Sequence, residues 1–419
     1  MRILVVAAYI SDENVKEFCN PLTGYGYIIR DIANHLGETH DVYLLTRQLI
    51  HERQLDNIHL VRHQLSDTIK NLRLRYVKPA IKSFFRCGGN LYNRFKNAYF
   101  FLNGSYLETV IQEIKPDIVH IHGAAYVELP CMLACTRLKV PYVITLHGLV
   151  GLNQHVPIDK YGRILEGKLF RFFDRFQQTV SIVSTGAKED AVQAYNLDMD
   201  TNICVVCNPV KRMLQGNSTF NLRSQYHIPS ESQIMICIGN ICARKNQVQL
   251  VRAYARLGAD YARKLHVFFM GEDRMNGELQ ICITKLGLEQ QVHYLGYVPH
   301  ADISSIYQQA QYNALISIDE GFGLSVIEGY SYGIPSIVFD DMQAVKDIYS
   351  PVSLVSVKER SDEALSAGIQ TLMDRNWDAD SIISVSQQFS FDKICDEYTD
   401  LFKNTQITKA RWSDIEQLI

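Results

Sequence analysis

The chain has 419 residues, more than one ordinary hydrophobic core accommodates, so two large domains are expected. With 47% hydrophobic and 21% charged residues it has the composition of a soluble globular protein, which excludes disorder over most of its length. A formal net charge of -3 excludes a global case for nucleic-acid binding, and ten cysteines suggest free thiols in a reducing cytosol rather than a disulfide framework.

The opening "MRILVVAAYI" holds one arginine and an apolar run that is too short for a signal-peptide core or a membrane span, and it reads as a buried strand. Strands are expected at 2–8, 41–46, 58–62, 117–122, 141–147, 179–184 and 203–208. Helical stretches such as "YIIRDIANHL" separate them, as a parallel sheet covered on both faces requires. Residues 70–96 carry eight Lys or Arg and no acid, interleaved with Phe84, Phe85, Tyr92 and Phe95. Such a segment suits an anionic membrane surface, and the competing reading is a solvated basic face beside core aromatics. Cys131 with Cys135 and Cys204 with Cys207 raise the question of zinc. In the second pair strand alternation sends positions three apart to opposite faces, so small buried thiols are preferred and no metal site is expected.

After the polar stretch 208–230 the alternation resumes, with strands expected at 233–240, 265–271, 292–297, 313–318, 335–339 and 351–356. The domains expected are 1–208 and 209–385, each α/β, doubly wound and Rossmann-like, facing each other across a cleft with ligands at the carboxyl ends of the strands. Phe391, Ile394, Tyr398 and Phe402 recur at helical spacing in the last segment, 386–419, which is expected to cross back onto the N-terminal domain.

Asp319 to Phe339, "DEGFGLSVIEGYSYGIPSIVF", place Glu320 on a loop at a strand's carboxyl end and Glu328 in the first turn of a helix that begins near Ser325. Between them "GFGL" offers backbone amides at the positive end of a helix dipole, a seat for phosphate. A carboxylate accepts two hydrogen bonds side by side, so the pair outlines a nucleotide-sugar held by its hydroxyls. The plain alternative is a helix-favouring Glu328 and a solvated Glu320. In "IGNICARKN", Arg244 and Lys245 follow a strand-ending glycine, where cations could neutralise a leaving diphosphate. "GYGY" is a weak dinucleotide match, and no P-loop pattern occurs.

These motifs, with "VFFMGE" and "VHYLGYVPHADISSIYQQA", resemble the donor domain of the retaining glycosyltransferase family 4, which has the GT-B fold. "TGYGYIIRDIANHL", "KPDIVHIHG" and "PYVITLHG" are similar to its first domain in outline. The resemblance implies that Glu328 binds the donor ribose and that Glu320 contacts the transferred sugar. It also implies that the amides of Gly321, Phe322, Gly323 and Leu324 meet sugar and phosphates, and that the backbone at Tyr297 and Val298 lies by the base. Lys245 matches the phosphate-binding lysine, His147 a histidine at the reaction centre, and Gly24 and Gly26 the glycine loop under the phosphates. His120 and His122, on one strand face, read as mainly structural. The family's arginine after the strand-ending glycine is Asn240 here, so either Arg244 supplies the second charge or Lys245 and helix dipoles suffice.

The implied activity is transfer of a hexosyl-type sugar from a UDP- or GDP-sugar to a glycan or lipid-linked acceptor of a cell-surface polysaccharide, with retention. His147, Lys245 and Glu320 are the catalytic candidates. No cofactor is expected, and without a D-x-D-like pair no metal either. The expected location is cytoplasmic, with 70–96 at the membrane surface. A nucleotide-sugar 2-epimerase of the same fold and a non-catalytic sugar-nucleotide-binding module are the alternatives.

Overall fold

The computed structural model describes all residues except 49–50, 52, 89, 124–127, 154–159, 199–201 and 212–219. Two compact units result, one from Met1–Pro209 with Phe391–Ile419, the other from Val210–Ser390.

In the first unit the described residues form β1 (Arg2–Ala7), β2 (Asp41–Thr46), β3 (Arg53–Leu55), β4 (Ile58–Leu60), β5 (Ile118–His122), β6 (Tyr142–Leu146), β7 (Val180–Ile182) and β8 (Ile203–Val205). They pair in the order β3-β4-β2-β1-β5-β6-β7-β8. All neighbours are parallel except β3 with β4. That hairpin turns at Asp56, whose φ is 50°, and its strand "RQL" is too short and polar to stand out by alternation. The inner strands β5 and β6 are buried at every position, which is why their sequences are continuous apolar runs. The strand expected at 203–208 stops at Val205, leaving Cys207 outside the ladder just before Pro209.

The second unit holds β9 (Gln233–Ile238), β10 (Leu265–Met270), β11 (Val292–Tyr294), β12 (Tyr312–Leu315), β13 (Ser336–Phe339) and β14 (Leu354–Val357). They form a parallel sheet in the order β11-β10-β9-β12-β13-β14. The chain winds outward from β9 to β11 and then resumes with β12 on the other side of β9. The carboxyl ends of β9 and β12 therefore flank a topological switch point, where open α/β sheets bind ligands. In the first unit the corresponding point lies between β1 and β5.

The helix Phe391–Asn404 returns the chain to the first unit and packs beside the helix Gly24–Leu36. It buries Ile394, Cys395, Tyr398 and Phe402. The Tyr398 and Phe402 rings both sit 5.0 Å from the His120 ring. Burying two such side chains contributes about 2–3 kcal/mol each, so this face fixes the returning segment. Residues 386–390, counted above with that segment, stay with the second unit.

Candidate functional site

The second unit's site grows from two loops at its switch point. After β9 the chain passes Gly239 at φ 141° and Asn240, then makes a 3-10 turn at Ala243–Lys245. Gln247 ties this turn back, its Nε2 donating to the carbonyls of Gly239 at 3.2 Å and Asn240 at 3.0 Å. The adjacent loop after β10 crosses so closely that a Cβ on Gly271 would lie 2.4 Å from the Gly239 carbonyl oxygen. Only glycine allows that crossing. From β12 the chain runs through Ser317, and the Ile318 amide donates to the Arg244 carbonyl at 2.8 Å, joining the loops.

Glu320 is the focus of this junction. Its Oε2 accepts from Lys245 Nζ at 2.5 Å, Arg244 Nη1 at 3.2 Å and the Ser317 hydroxyl at 3.3 Å. Arg244 Nη1 also donates to the Asp319 carbonyl at 2.7 Å. Burial pushes the Glu320 carboxyl up, but the charges of Lys245 and Arg244 outweigh it and hold the group below the ordinary carboxylate value. Arg360 steadies the strand end, donating to the Ser317 carbonyl at 2.9 Å while paired to Asp341 at 2.7 Å.

The following helix spans Leu324–Ser331, with Gly323 as its N-cap at φ 87°. It begins one residue earlier than the expected Ser325, so Glu328 stands in its second turn and not its first. The Phe322 side chain turns inward, 2% exposed, against Phe389 at 5.6 Å. That clears "GFGL" of its one large side chain. Glu328 Oε2 accepts from the Tyr307 hydroxyl at 2.8 Å. Tyr307 comes from the helix His300–Gln309 and stacks on Tyr332 at 5.0 Å. Burial raises the Glu328 carboxyl above its ordinary value, against the opposing influence of Tyr307, His300 and Lys245. The two glutamates thus lie in opposite electrostatic settings.

Asn240 Oδ1 accepts the Glu272 amide at 3.1 Å, which commits this side chain to the loop after β10. Arg244 stands with Lys245 at Glu320, so a second cation is present there. Tyr297 and Val298 follow β11 beyond Gly296; Tyr297 is exposed and Val298 packs on the core cluster that includes Ile303 and Tyr307.

The first unit brings different chemistry to the carboxyl edge of its sheet. Gly24 and Gly26 lie in the first turn of the helix Gly24–Leu36, not in a loop ahead of it, because Thr23 caps the helix by accepting the Gly26 amide at 3.1 Å. A Cβ on Gly26 would meet Ser11 Oγ at 2.1 Å, so the position needs glycine for space. Tyr25, next in that turn, donates to the His122 carbonyl at 3.1 Å and meets the His147 ring edge-on at 5.0 Å.

His147 follows β6, and its Nε2 lies 2.9 Å from His122 Nδ1. His122 is therefore a direct hydrogen-bond partner of His147. The parallel register explains the meeting, since His122 pairs with Thr145, two positions before His147. His120 hydrogen-bonds Thr145 at 2.7 Å and is structural. Burial lowers all three imidazoles: His147 to about 4, against an opposing Asn208 contact, His120 to about 3, and His122 well below its ordinary value. Near neutral pH they are uncharged dipoles. Among the described residues no group of three or more His, Cys, Asp or Glu is placed to hold a metal ion. Cys131 and Cys135 are buried in the helix Glu128–Leu138.

Sequence reasoning missed Tyr307, Ser317, Arg360 and the His122–His147 contact. Tyr307 lies within the quoted stretch 292–310 and Ser317 on an expected strand, but their roles, like that of Arg360, are set by tertiary packing. The histidine contact was open to a register argument, since both strands were recognised.

Two Rossmann-like units, each with a topological switch point in its sheet, match the GT-B fold. Residues 23–212 match the profile described as Glycosyltransferase Family 4 and residues 218–388 the profile described as Glycosyl transferases group 1, so the chain belongs to the glycosyltransferases of family 4 type. An uncharacterized glycosyltransferase of Methanocaldococcus jannaschii is 25% identical over 257 residues, 59% of this chain and 62% of that protein. The O-antigen chain mannosyltransferase B of Escherichia coli is 28% identical over 141 residues, 33% of this chain and 37% of that one. The putative teichuronic acid biosynthesis glycosyltransferase TuaC of Bacillus subtilis is 23% identical over 268 residues, 63% of each. The chain thus spans less than two thirds of the length of these relatives.

Among solved structures, a glycosyltransferase of Rickettsia africae matches with TM-score 0.68 and 16% identity, over 96% of this chain and 97% of that one. HepE of Anabaena, solved with UDP and glucose, matches with TM-score 0.66 and 17% identity, over 96% and 99%. The lipopolysaccharide outer core galactosyltransferase WaaB matches with TM-score 0.65 and 16% identity, over 96% and 99%. At these identities the likeness carries the fold alone.

Proposed function

We propose that the protein is a retaining glycosyltransferase that moves a hexosyl-type sugar from a UDP- or GDP-sugar to a glycan or lipid-linked acceptor in cell-surface polysaccharide assembly. The observation that carries this reading is the convergence of Lys245 and Arg244 on Glu320 at the switch point of the second unit. Both cations are paired to the Glu320 carboxylate. A diphosphate draws them away, and Glu320, still ionised, turns to the sugar hydroxyls. Glu328, held by Tyr307, takes the ribose diol. A carboxylate fixed by two cations is a poor proton shuttle, which favours a clamp over the acid–base role an epimerase needs.

In the transfer, the bond from the anomeric carbon to the leaving phosphate oxygen breaks. The acceptor hydroxyl bonds to that carbon on the same face, and its proton passes to the departing phosphate. Lys245 and Arg244 stabilise the charge on the leaving group, the task a metal would otherwise perform. His147, being neutral, contributes a hydrogen bond rather than a charge. The names of the relatives, which include O-antigen and teichuronic acid enzymes, support the polysaccharide setting.

The segment 70–96 supports an acceptor at a membrane. Ile81 and Phe85 on the helix Val77–Arg86, and Leu91, Tyr92 and Phe95 on the helix Leu91–Ile114, are exposed among Lys78, Arg86 and Lys96. No helix among the described residues is long and apolar enough to cross a membrane. Surface attachment is the mode proposed, and equal flotation with anionic and neutral vesicles counts against it.

The deciding experiment is a panel of UDP- and GDP-sugars read by thermal shift, followed by product analysis with the anomeric configuration assigned by NMR. One donor is expected to raise the melting point and give a product of retained configuration. No stabilising donor, an inverted product or a free epimerised nucleotide-sugar overturns the reading. Full activity in the presence of EDTA is expected, and loss restored by manganese contradicts the metal-free clamp.

A further inference from the structure

We infer a second anion-binding site, on the first unit, that takes a phosphate-bearing ligand in a cavity walled by the C-terminal segment. The cavity measures about 510 Å³, and its lining includes Arg75, Arg137, Lys139, Thr408, Arg411 and Trp412. It is not part of the candidate site described above. The helix Glu128–Leu138 leaves the carboxyl end of β5 and returns to the amino end of β6, so Arg137 and Lys139 lie at the opposite sheet edge from His122 and His147. The inference does not depend on the donor reading.

Charge is the first reason. Glu108, 1% exposed, takes Arg73, Arg75 and Arg137 on a single oxygen at 3.1, 2.7 and 3.4 Å. Arg411 pairs with Asp414 at 3.3 Å, and Lys139 stands on the wall beside them. Arg75, Arg137, Lys139 and Arg411 thus line the cavity with no acidic residue among its lining, and an anion offsets the repulsion among them. Helix-dipole compensation accounts for Arg137 and Lys139 at a helix carboxyl end. It does not account for Arg75, from the turn Leu74–Tyr76, or for Arg411, from the far end of the sequence.

Geometry is the second. Three of the four lining cations are arginines, whose planar forks match phosphate oxygens in pairs. Trp412 is held edge-to-face on Tyr76 at 5.1 Å, a fixed aromatic wall for the rest of the ligand. The chemistry is that of a phosphate or diphosphate ester, from a soluble metabolite or from the headgroup of an anionic lipid. Leu74, next to Arg75 in the chain, is 87% exposed and offers an apolar surface to a lipid.

The chain has two tryptophans, so Trp377→Phe leaves Trp412 as the reporter. Full-length Trp377→Phe protein, with Lys245→Ala added to silence the donor site, is titrated with inorganic pyrophosphate, then with phosphatidylglycerol and phosphatidylcholine vesicles. A saturable change in Trp412 emission is expected. Combined Arg137→Ala and Arg411→Ala weaken it about tenfold or more, whereas Arg137→Lys with Arg411→Lys largely keep it. A response to pyrophosphate assigns a soluble ester, and a response to phosphatidylglycerol vesicles alone assigns a headgroup. No response to either, or one that survives the alanine pair, overturns the inference. An unchanged circular dichroism spectrum and melting point in the alanine pair show that a lost response reflects this site and not a failure to fold.

Discussion

The two units present their candidate residues by opposite means. In the second, Glu320 is an ionised carboxylate compensated by Lys245 and Arg244 within hydrogen-bonding distance. In the first, burial leaves His120, His122 and His147 uncharged near neutral pH, each keeping one ring N–H, so they offer oriented dipoles and not charges. One region stores mobile charge that a ligand can redistribute, while the other is polar without being charged. On the proposed reading, the charged kind of region is the one suited to a leaving diphosphate.

The contrast is most exposed to Lys245→Ala. Removing the principal cation should lower kcat/KM for transfer about 10²–10³-fold, measured in steady state. A near-normal rate would show that the charged cluster is structural. Glu328→Ala should act on binding instead, weakening donor affinity about tenfold or more through lost hydrogen bonds to a charged group, read by calorimetry. An unchanged Kd would remove Glu328 from the ribose.

The neutral region is tested by acid. The folded state holds His147 at about 4 and His120 at about 3, so below the ordinary histidine value the unfolded chain binds protons that the folded chain does not. Stability contributed by these groups is full above about pH 6.5 and falls as pH drops, by about 1.4 kcal/mol per pH unit for each proton withheld. Glu320 adds to the loss at lower pH, since its depressed carboxyl stabilises the fold only while ionised. Glu328 has the opposite sign, its raised carboxyl costing stability as pH rises through its titration. Denaturant midpoints from pH 7.5 to 4.5 should show the net decline, with a smaller slope in His147→Gln; a flat profile would mean that the imidazoles are not buried neutral.

Smaller effects sharpen the detail. Tyr307→Phe should cost about 1–2 kcal/mol, because Glu328 stays buried with one donor fewer, and should weaken the donor only severalfold. Asn240→Ala should cost about 1 kcal/mol through the lost Glu272 amide contact, with donor affinity unchanged. A large affinity loss there would return Asn240 to the phosphate site.

Much of this was legible in the sequence because parallel strands buried on both faces are written as uninterrupted apolar runs, and the core strands β5, β6, β9 and β10 fell where such runs lie. The edge strand β3 did not, since an edge needs no burial signature. Glu320 and Lys245 were visible because loops after strands carry chemistry in short motifs. The start of the helix at Leu324 was misplaced because Gly323, in a left-handed conformation, serves as the cap without a side chain that could announce it. Tyr307 and Arg360 could not be assigned, as each reaches the site from a separate element brought near only by the folded sheet.

The crossing of Gly239 and Gly271 constrains how this protein can be altered. A methyl group on Gly271 would strike the Gly239 carbonyl at 2.4 Å, and that carbonyl is also a hydrogen-bond acceptor for Gln247, beside the turn that carries Lys245. Any bulkier residue there would push the backbone that supports the Lys245 turn along with it, so this crossing admits only glycine. Substitutions are tolerated better at positions outside this crossing, such as exposed Tyr297.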